Sequence, residues 1–149
     1  MAVVRDNPYP GYNFLVSIEG VSDDPGEIQA AFAEISGLGV EITPIEYRTG
    51  AERTTVRKLP GLTKYSNVTF KRGITGDLRF WRWIEQTLHG GVQRCSVTVT
   101  MLDEKRAPVL QFRLSNAWPV KFEGPTLNAT TNDVAIELME ICHEGMDIE

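Results

Sequence analysis

Apolar residues along this chain recur mostly at every second position, the pattern of strands with one buried face. Over Tyr12 to Glu19, the residues Tyr12, Phe14, Val16 and Ile18 share a face. Over Arg94 to Leu102, Cys95, Val97, Val99 and Met101 point one way, and Arg94, Ser96, Thr98 and Thr100 the other. Val109 to Ser115 repeats the pattern with Leu110, Phe112 and Leu114. The polar turn between these two runs predicts a β-hairpin with one buried face. Val40 to Arg48 and Lys64 to Ile74 read as further strands, with Pro44 placing the former at an edge or a bulge. Val120 to Glu123 reads as a short extra strand.

One segment follows a helical period. From Asp77 to His89, the residues Phe80, Trp81, Ile84 and Leu88 fall within an arc of about 100°. Thr75 or Asp77 can cap its start, and Gly90-Gly91 can end it. Trp83 falls off the arc, so it either covers a neighbouring element or meets another subunit. Two segments are ambiguous. Ile28 to Ser36 fits helix or strand. Asn132 to Glu144 fits both, and its local pattern slightly favours helix. Thr49 to Leu62 reads as a long, polar connection carrying Gly50, Pro60 and Gly61. Connections of that length inside a domain are usually functional or disordered.

The chain has 149 residues, 42% of them hydrophobic and 23% charged. That suits a single domain spanning 1–149, large enough for a real core. No apolar run reaches the roughly 18–20 residues of a spanning helix, so no membrane anchor is expected. The start, Met1 to Asp6, has no basic stretch followed by an apolar one, so no secretory leader is expected. Cys95 and Cys142 are too few for a disulfide scaffold, and synthesis in the cytoplasm with reduced thiols follows.

Net charge is −5, unevenly spread. Residues 1–46 carry −7, residues 47–83 carry +7, and residues 133–149 carry −6. One basic block between acidic ends can complement other copies of the chain, or offer itself to a nucleic acid. Contacts between copies would then draw on Arg48, Arg53, Arg57 and Lys58, with Leu59-Pro60 as apolar anchor and Trp83 beside them.

Catalysis needs a base, a nucleophile and an orienting group within reach, and no such set stands out. His89 suits the last turn of the helix, where a cation complements the dipole. His143 lies in an acidic stretch and reads as solvated. Cys95 falls on an apolar face, where an inert thiol is expected. No spacing matches a zinc or calcium site. Gly37-Leu38-Gly39 lacks the residues of a phosphate loop. Trp81 and Trp83 among Arg79 and Arg82 suggest base stacking, although core packing suits Trp81 better. No enzyme, cofactor or metal is expected. A binding module, including a nucleic-acid-binding β-module built on 47–83, or an assembly subunit remains.

Several runs in order then carry a resemblance. They are Tyr12-Asn-Phe-Leu-Val, Glu34-Ile-Ser-Gly-Leu, Ile45-Glu-Tyr-Arg-Thr-Gly, Arg57-Lys-Leu-Pro-Gly-Leu and Val68-Thr-Phe-Lys-Arg-Gly. Trp81 to Ile84, Asn116-Ala-Trp-Pro, Asn132-Asp-Val-Ala-Ile-Glu and His143-Glu-Gly complete the set. Together they resemble the tail tube proteins of contractile phages, and more closely the inner tube proteins of phage-tail-like extracellular contractile injection systems. The resemblance implies a mainly β fold: two packed antiparallel sheets forming a small β-barrel or sandwich, with one flanking helix. It also implies a strand at Val134 to His143, which overrides the local helix signal.

The implied assembly is a set of hexameric rings stacked into a hollow tube. Its partners would be further copies, a sheath protein, baseplate and tube-initiating proteins and a terminal cap. Effector protein or DNA would be the cargo in the lumen. The particle would be assembled in bacterial cytoplasm and could be released from the cell.

Overall fold

The hairpin read from residues 94–115 forms the centre of the fold. The structure, a computed structural model, describes residues 2–19, 32–48, 50, 55–74, 76 and 78–149. In chain order the elements are β1 (Phe14–Glu19), β2 (Glu34–Ser36), β3 (Val40–Tyr47), β4 (Arg57–Tyr65), β5 (Val68–Gly73), α1 (Arg79–Leu88), β6 (Cys95–Leu102), β7 (Pro108–Glu123), β8 (Ile136–Cys142) and β9 (Gly145–Ile148). One antiparallel path runs β1-β6-β7-β8-β5-β2, with β9 also on β7, while β3 and β4 pair only with each other.

β7 organises this path. Its first part pairs with β6, and Phe112–Ser115 also pair with β9. Its last part, Trp118–Glu123, pairs with β8. A single 16-residue strand therefore belongs to two layers. Asn116 marks the crossing, with φ +53, a left-handed conformation that asparagine tolerates better than most residues. The turn from β8 into β9 makes the same crossing beside it. There the Glu144 N–H donates to Ser115 O at 2.9 Å, and Asn116 Nδ2 donates to Glu144 Oε2 at 3.0 Å.

The core lies between the layers. Val16, Ile18, Val97, Val99 and Leu114 from one layer meet Val68, Phe70, Met139 and Ile141 from the other. Each buried side chain of this kind contributes about 1.5–3 kcal/mol. The period-two reading of β1 and of the hairpin thus places Val16, Ile18, Cys95, Val97, Val99 and Leu114 in the core correctly, whereas Tyr12, read on the same face, is exposed and Phe14, Met101, Leu110 and Phe112 are partly buried. The implied strand near 134–143 is β8, against its local helix signal.

Several expectations change. The sheets do not close into a barrel: β1 and β2 end the path with no partner on their outer sides among the described residues. Val120 to Glu123 is not a separate strand but the end of β7, and Lys64 to Ile74 is broken by Ser66-Asn67 into the end of β4 and all of β5. β9 was not foreseen. The expected caps Thr75 and Asp77 lie outside the described residues, whereas the stop at Gly90-Gly91 forms, with Gly91 N donating to Gln86 O at 2.9 Å.

The buried face of α1 is rotated from the apolar arc. Phe80, Trp83 and Ile84 are buried, whereas Leu88 is exposed and Trp81 keeps 41% of its surface. Trp83 has no exposed surface, and its Nε1 donates to Gln93 O at 3.0 Å. The expectation that Trp83 meets another subunit therefore fails, because the side chain is spent inside its own. The largest ring wins the interior, and Trp81 settles on the flank with its ring 5.5 Å from that of Phe122.

Among the described residues, two charged or polar side chains are also inside. Arg72, counted above in the basic block, is buried, paired with Glu137 on β8, and lies 4.1 Å from the centre of the Phe80 ring. A buried cation needs such a partner. His143 is buried as well, contrary to its solvated reading. Its Nδ1 lies 3.0 Å from Gly145 O and its Nε2 3.1 Å from Ser66 O, tying the β8–β9 turn to the β4–β5 junction.

Candidate assembly interface

The segment expected as a long loop is half of a two-stranded arm. β4 begins at Arg57, so only part of 49–62 connects strands. β3 and β4 pair from Val40↔Tyr65 at the root to Tyr47↔Arg57 toward the tip. At about 3.3 Å per residue, eight residues reach roughly 26 Å. The root is closed by Ser66 N donating to Gly39 O at 3.1 Å.

The register slips by one residue between Ile42 and Pro44, leaving Gly61 and Leu62 opposite Thr43. Gly61 permits this bulge because a Cβ there would collide with the Thr43 carbonyl and press on Ile45. Just beyond, Pro44 faces Pro60. Proline has no N–H to donate, and a two-stranded ribbon, both of whose strands are edges, tolerates it.

Every residue of β3 is exposed, and so are seven of the nine in β4. Many are apolar: Val40, Ile42, Ile45, Tyr47, Leu59 and, at 85% exposure, Leu62. By strand alternation, Val40 and Ile42 share one face while Ile45 and Tyr47 share the other. Apolar surface therefore changes sides halfway along the arm. The charged residues largely answer one another: Glu41 is opposite Lys64, and Glu46 opposite Lys58.

Of the residues expected at an interface, Arg57, Lys58, Leu59 and Pro60 lie on β4 and Arg48 just past the end of β3, all exposed. The structure brings these five together on one arm. Arg53 lies outside the described residues, and Trp83 belongs to the core. Sequence reasoning missed Val40, Ile42, Ile45, Tyr47 and Leu62 as a continuous apolar set with Leu59. The signal was present in the alternation on both sides of Gly50, but Pro60-Gly61 reads as a loop when it is a bulge.

The basic block is dispersed. Arg72 is buried against Glu137, Lys71 reaches Glu34 at 3.5 Å, and Lys58 and Lys64 oppose acids on the same arm. A nucleic-acid groove built on 47–83 has little support in this arrangement. Burial pushes the Cys95 thiol up to about 11, and burial also raises that of Cys142, the opposite of an activated nucleophile.

A family profile described as T4-like virus tail tube protein gp19 matches residues 10–147. Curated protein sequences give no match. Among solved structures, a chain of the anti-feeding prophage baseplate superposes with a TM-score of 0.88 at 25% identity, over 97% of each chain. A chain of the extended sheath-tube complex of an extracellular contractile injection system, PVC, gives 0.83 at 26% identity, over 95% of this chain and 91% of that one. The Hcp1 protein of Flavobacterium johnsoniae shares the fold alone, with a TM-score of 0.55 at 12% identity. With the family profile spanning nearly the whole sequence, and with an exposed arm and open sheet edges on its surface, the chain belongs to the T4-like tail tube protein family and is a structural tube subunit.

Proposed function

We propose that this chain assembles into hexameric rings that stack as the inner tube of a contractile particle, and that the β3–β4 arm makes the contact between copies. The observation that carries this is the arm itself, a two-stranded ribbon with apolar residues on both faces and, among the described residues, no second layer. Such a hairpin is marginally stable alone and gains cover from another subunit. Rings also suit the open sheet edges, which a closed assembly can pair and an isolated chain leaves as templates for uncontrolled addition. Heterologous contacts that close make rings, and those that do not close make filaments.

The particle is a phage tail or an extracellular injection system, assembled in bacterial cytoplasm. Its further partners are a sheath, a baseplate with tube-initiating proteins and a terminal cap, and its lumen passes effector protein or DNA. Support comes from the related structures, which include a baseplate, a sheath-tube complex and a tube-terminating cap. Charge plays the smaller part in self-assembly, since Lys58 and Lys64 already oppose acids within the arm and exposed pairs contribute about 0–1 kcal/mol.

The test is Ile45→Asp with Leu59→Asp, examined by electron microscopy for tubes and by circular dichroism for fold. Loss of tubes with the spectrum retained is expected. Normal tubes from this variant would remove the arm from the interface.

A further inference from the structure

His143 is buried where three segments meet: the end of β8, the turn into β9 and the junction of β4 with β5. Both of its ring nitrogens face backbone carbonyls, Nδ1 that of Gly145 at 3.0 Å and Nε2 that of Ser66 at 3.1 Å. A carbonyl oxygen only accepts. A neutral imidazole has one N–H and one bare nitrogen, so it donates to one of these oxygens while its lone pair confronts the other. Only the imidazolium donates to both. The pair of acceptors therefore matches the charged form of the ring.

Ser66 carries the consequence to the arm. Its N–H donates to Gly39 O at 3.1 Å, closing the root of the arm, while its own carbonyl faces His143. A line of polar contacts thus runs from Gly39 through Ser66 and the imidazole to Gly145, joining the arm to the crossing between the layers. The junction is also closely packed, since a Cβ on Gly37 would collide with the Asn67 carbonyl. We propose that His143 is a proton-sensitive latch at the root of the arm. Protonated, it holds the β4–β5 junction to the β8–β9 turn by two hydrogen bonds. After losing a proton it keeps one and sets a lone pair against the other carbonyl, so the latch loosens as pH rises. Imidazole is the side chain whose charge ordinarily changes between about pH 5 and 8.

No neighbouring charge substitutes for this proton. Among the described residues, no carboxylate pairs with the ring. Glu140 on β8 accepts from Asn67 Nδ2 at 2.8 Å, and Glu144 in the turn accepts from Asn116 Nδ2 at 3.0 Å. Tyr65 at the end of β4 stands with its ring 5.4 Å from the imidazole. Cys142 precedes His143 in the chain, its thiol pushed up by burial, with Arg94 and Glu144 as the charges that reach it. Ser115 and Asn116 on β7 and Gly145 on β9 carry no charge.

The test follows ring and amide signals of the isotope-labelled, unassembled full chain by NMR across about pH 5 to 8. At the acid end both His143 nitrogens should carry a proton. As pH rises one proton should leave, and the amide signals of Ser66, Asn67 and Gly145 should shift with the same midpoint. Protection of the Ser66 N–H against hydrogen exchange should fall about tenfold across that midpoint, as expected for losing one hydrogen bond from a charged donor. His143→Gln should abolish this pH dependence, whereas His89→Gln, at the exposed end of α1, should leave it intact. A His143 ring that holds one proton, or two, throughout the range would overturn the proposal. So would a ring that titrates without moving these amides, or a pH dependence that persists in His143→Gln. None of these readings requires tubes, so their failure would leave the arm's part in assembly standing.

Discussion

The sandwich and the arm use the same material to opposite ends. In β6, Cys95, Val97 and Val99 alternate with polar residues and are buried by the facing layer. In β3, Val40 and Ile42 alternate with polar residues just as cleanly and remain in solvent. The difference is not propensity but the number of layers. A strand's apolar face is covered only where a second sheet or a helix lies over it. Apolar periodicity therefore announces a strand, and whether its own chain covers that strand depends on topology.

Four changes sharpen the contrast, in decreasing order of effect. Trp83→Ala should destabilise the sandwich by about 3–5 kcal/mol, because it empties the space under α1. For a chain of this size that lowers the melting temperature by on the order of 10 °C, readable by circular dichroism. A change of only a few degrees would mean that the helix face is assigned wrongly. Glu137→Ala should cost about 3 kcal/mol by leaving Arg72 buried without its carboxylate. The double change Arg72→Met with Glu137→Leu should restore most of that loss, and calorimetry of both variants decides it.

The third change is in conditions. With its thiol raised to about 11 by burial, Cys95 should react with a thiol reagent at pH 8 about 100-fold more slowly in folded Cys142→Ser protein than after unfolding. Because the fold favours the neutral thiol, that contribution to stability is full below about pH 9 and is lost as pH rises through about 11. Equal reactivity in the two states would place Cys95 outside the core. The smallest effect belongs to the arm. Glu46→Lys sets like charges opposite Lys58 and should cost the ribbon about 0.2–1 kcal/mol. Hydrogen exchange should accelerate in β3 and β4 while the melting temperature of the sandwich stays put; a shift in that temperature would show that the two regions unfold together.

Much of the sandwich was legible in the sequence, because period two in β1, β6 and β7 is a direct consequence of a one-sided core. The helix was found but its face was not. An arc drawn from apolarity weighs Leu88 and Trp83 by position alone, whereas packing weighs them by volume and by what lies above. Arg72 was counted with the basic block and His143 was read as solvated because their partners, Glu137 and the carbonyls of Ser66 and Gly145, lie far along the chain or in its backbone. On the arm, Arg57, Lys58, Leu59 and Pro60 were singled out for their composition, although the strand that carries them was read as a loop. Pro60 and Gly61 interrupt a strand pattern locally, yet a bulge accommodates both.

The passage of β7 through both layers has a mechanical meaning. Two sheets held only by side chains can slide over one another, since apolar contacts are non-directional. Here the chain itself crosses between them at two neighbouring points, at Asn116 in β7 and at His143-Glu144 between β8 and β9. A shearing force on one layer is handed to the other through covalent backbone and the hydrogen bonds that flank the crease. A tube pushed from one end must carry thrust through every subunit in line, and this crease gives each subunit a load path through covalent backbone in addition to its packed core.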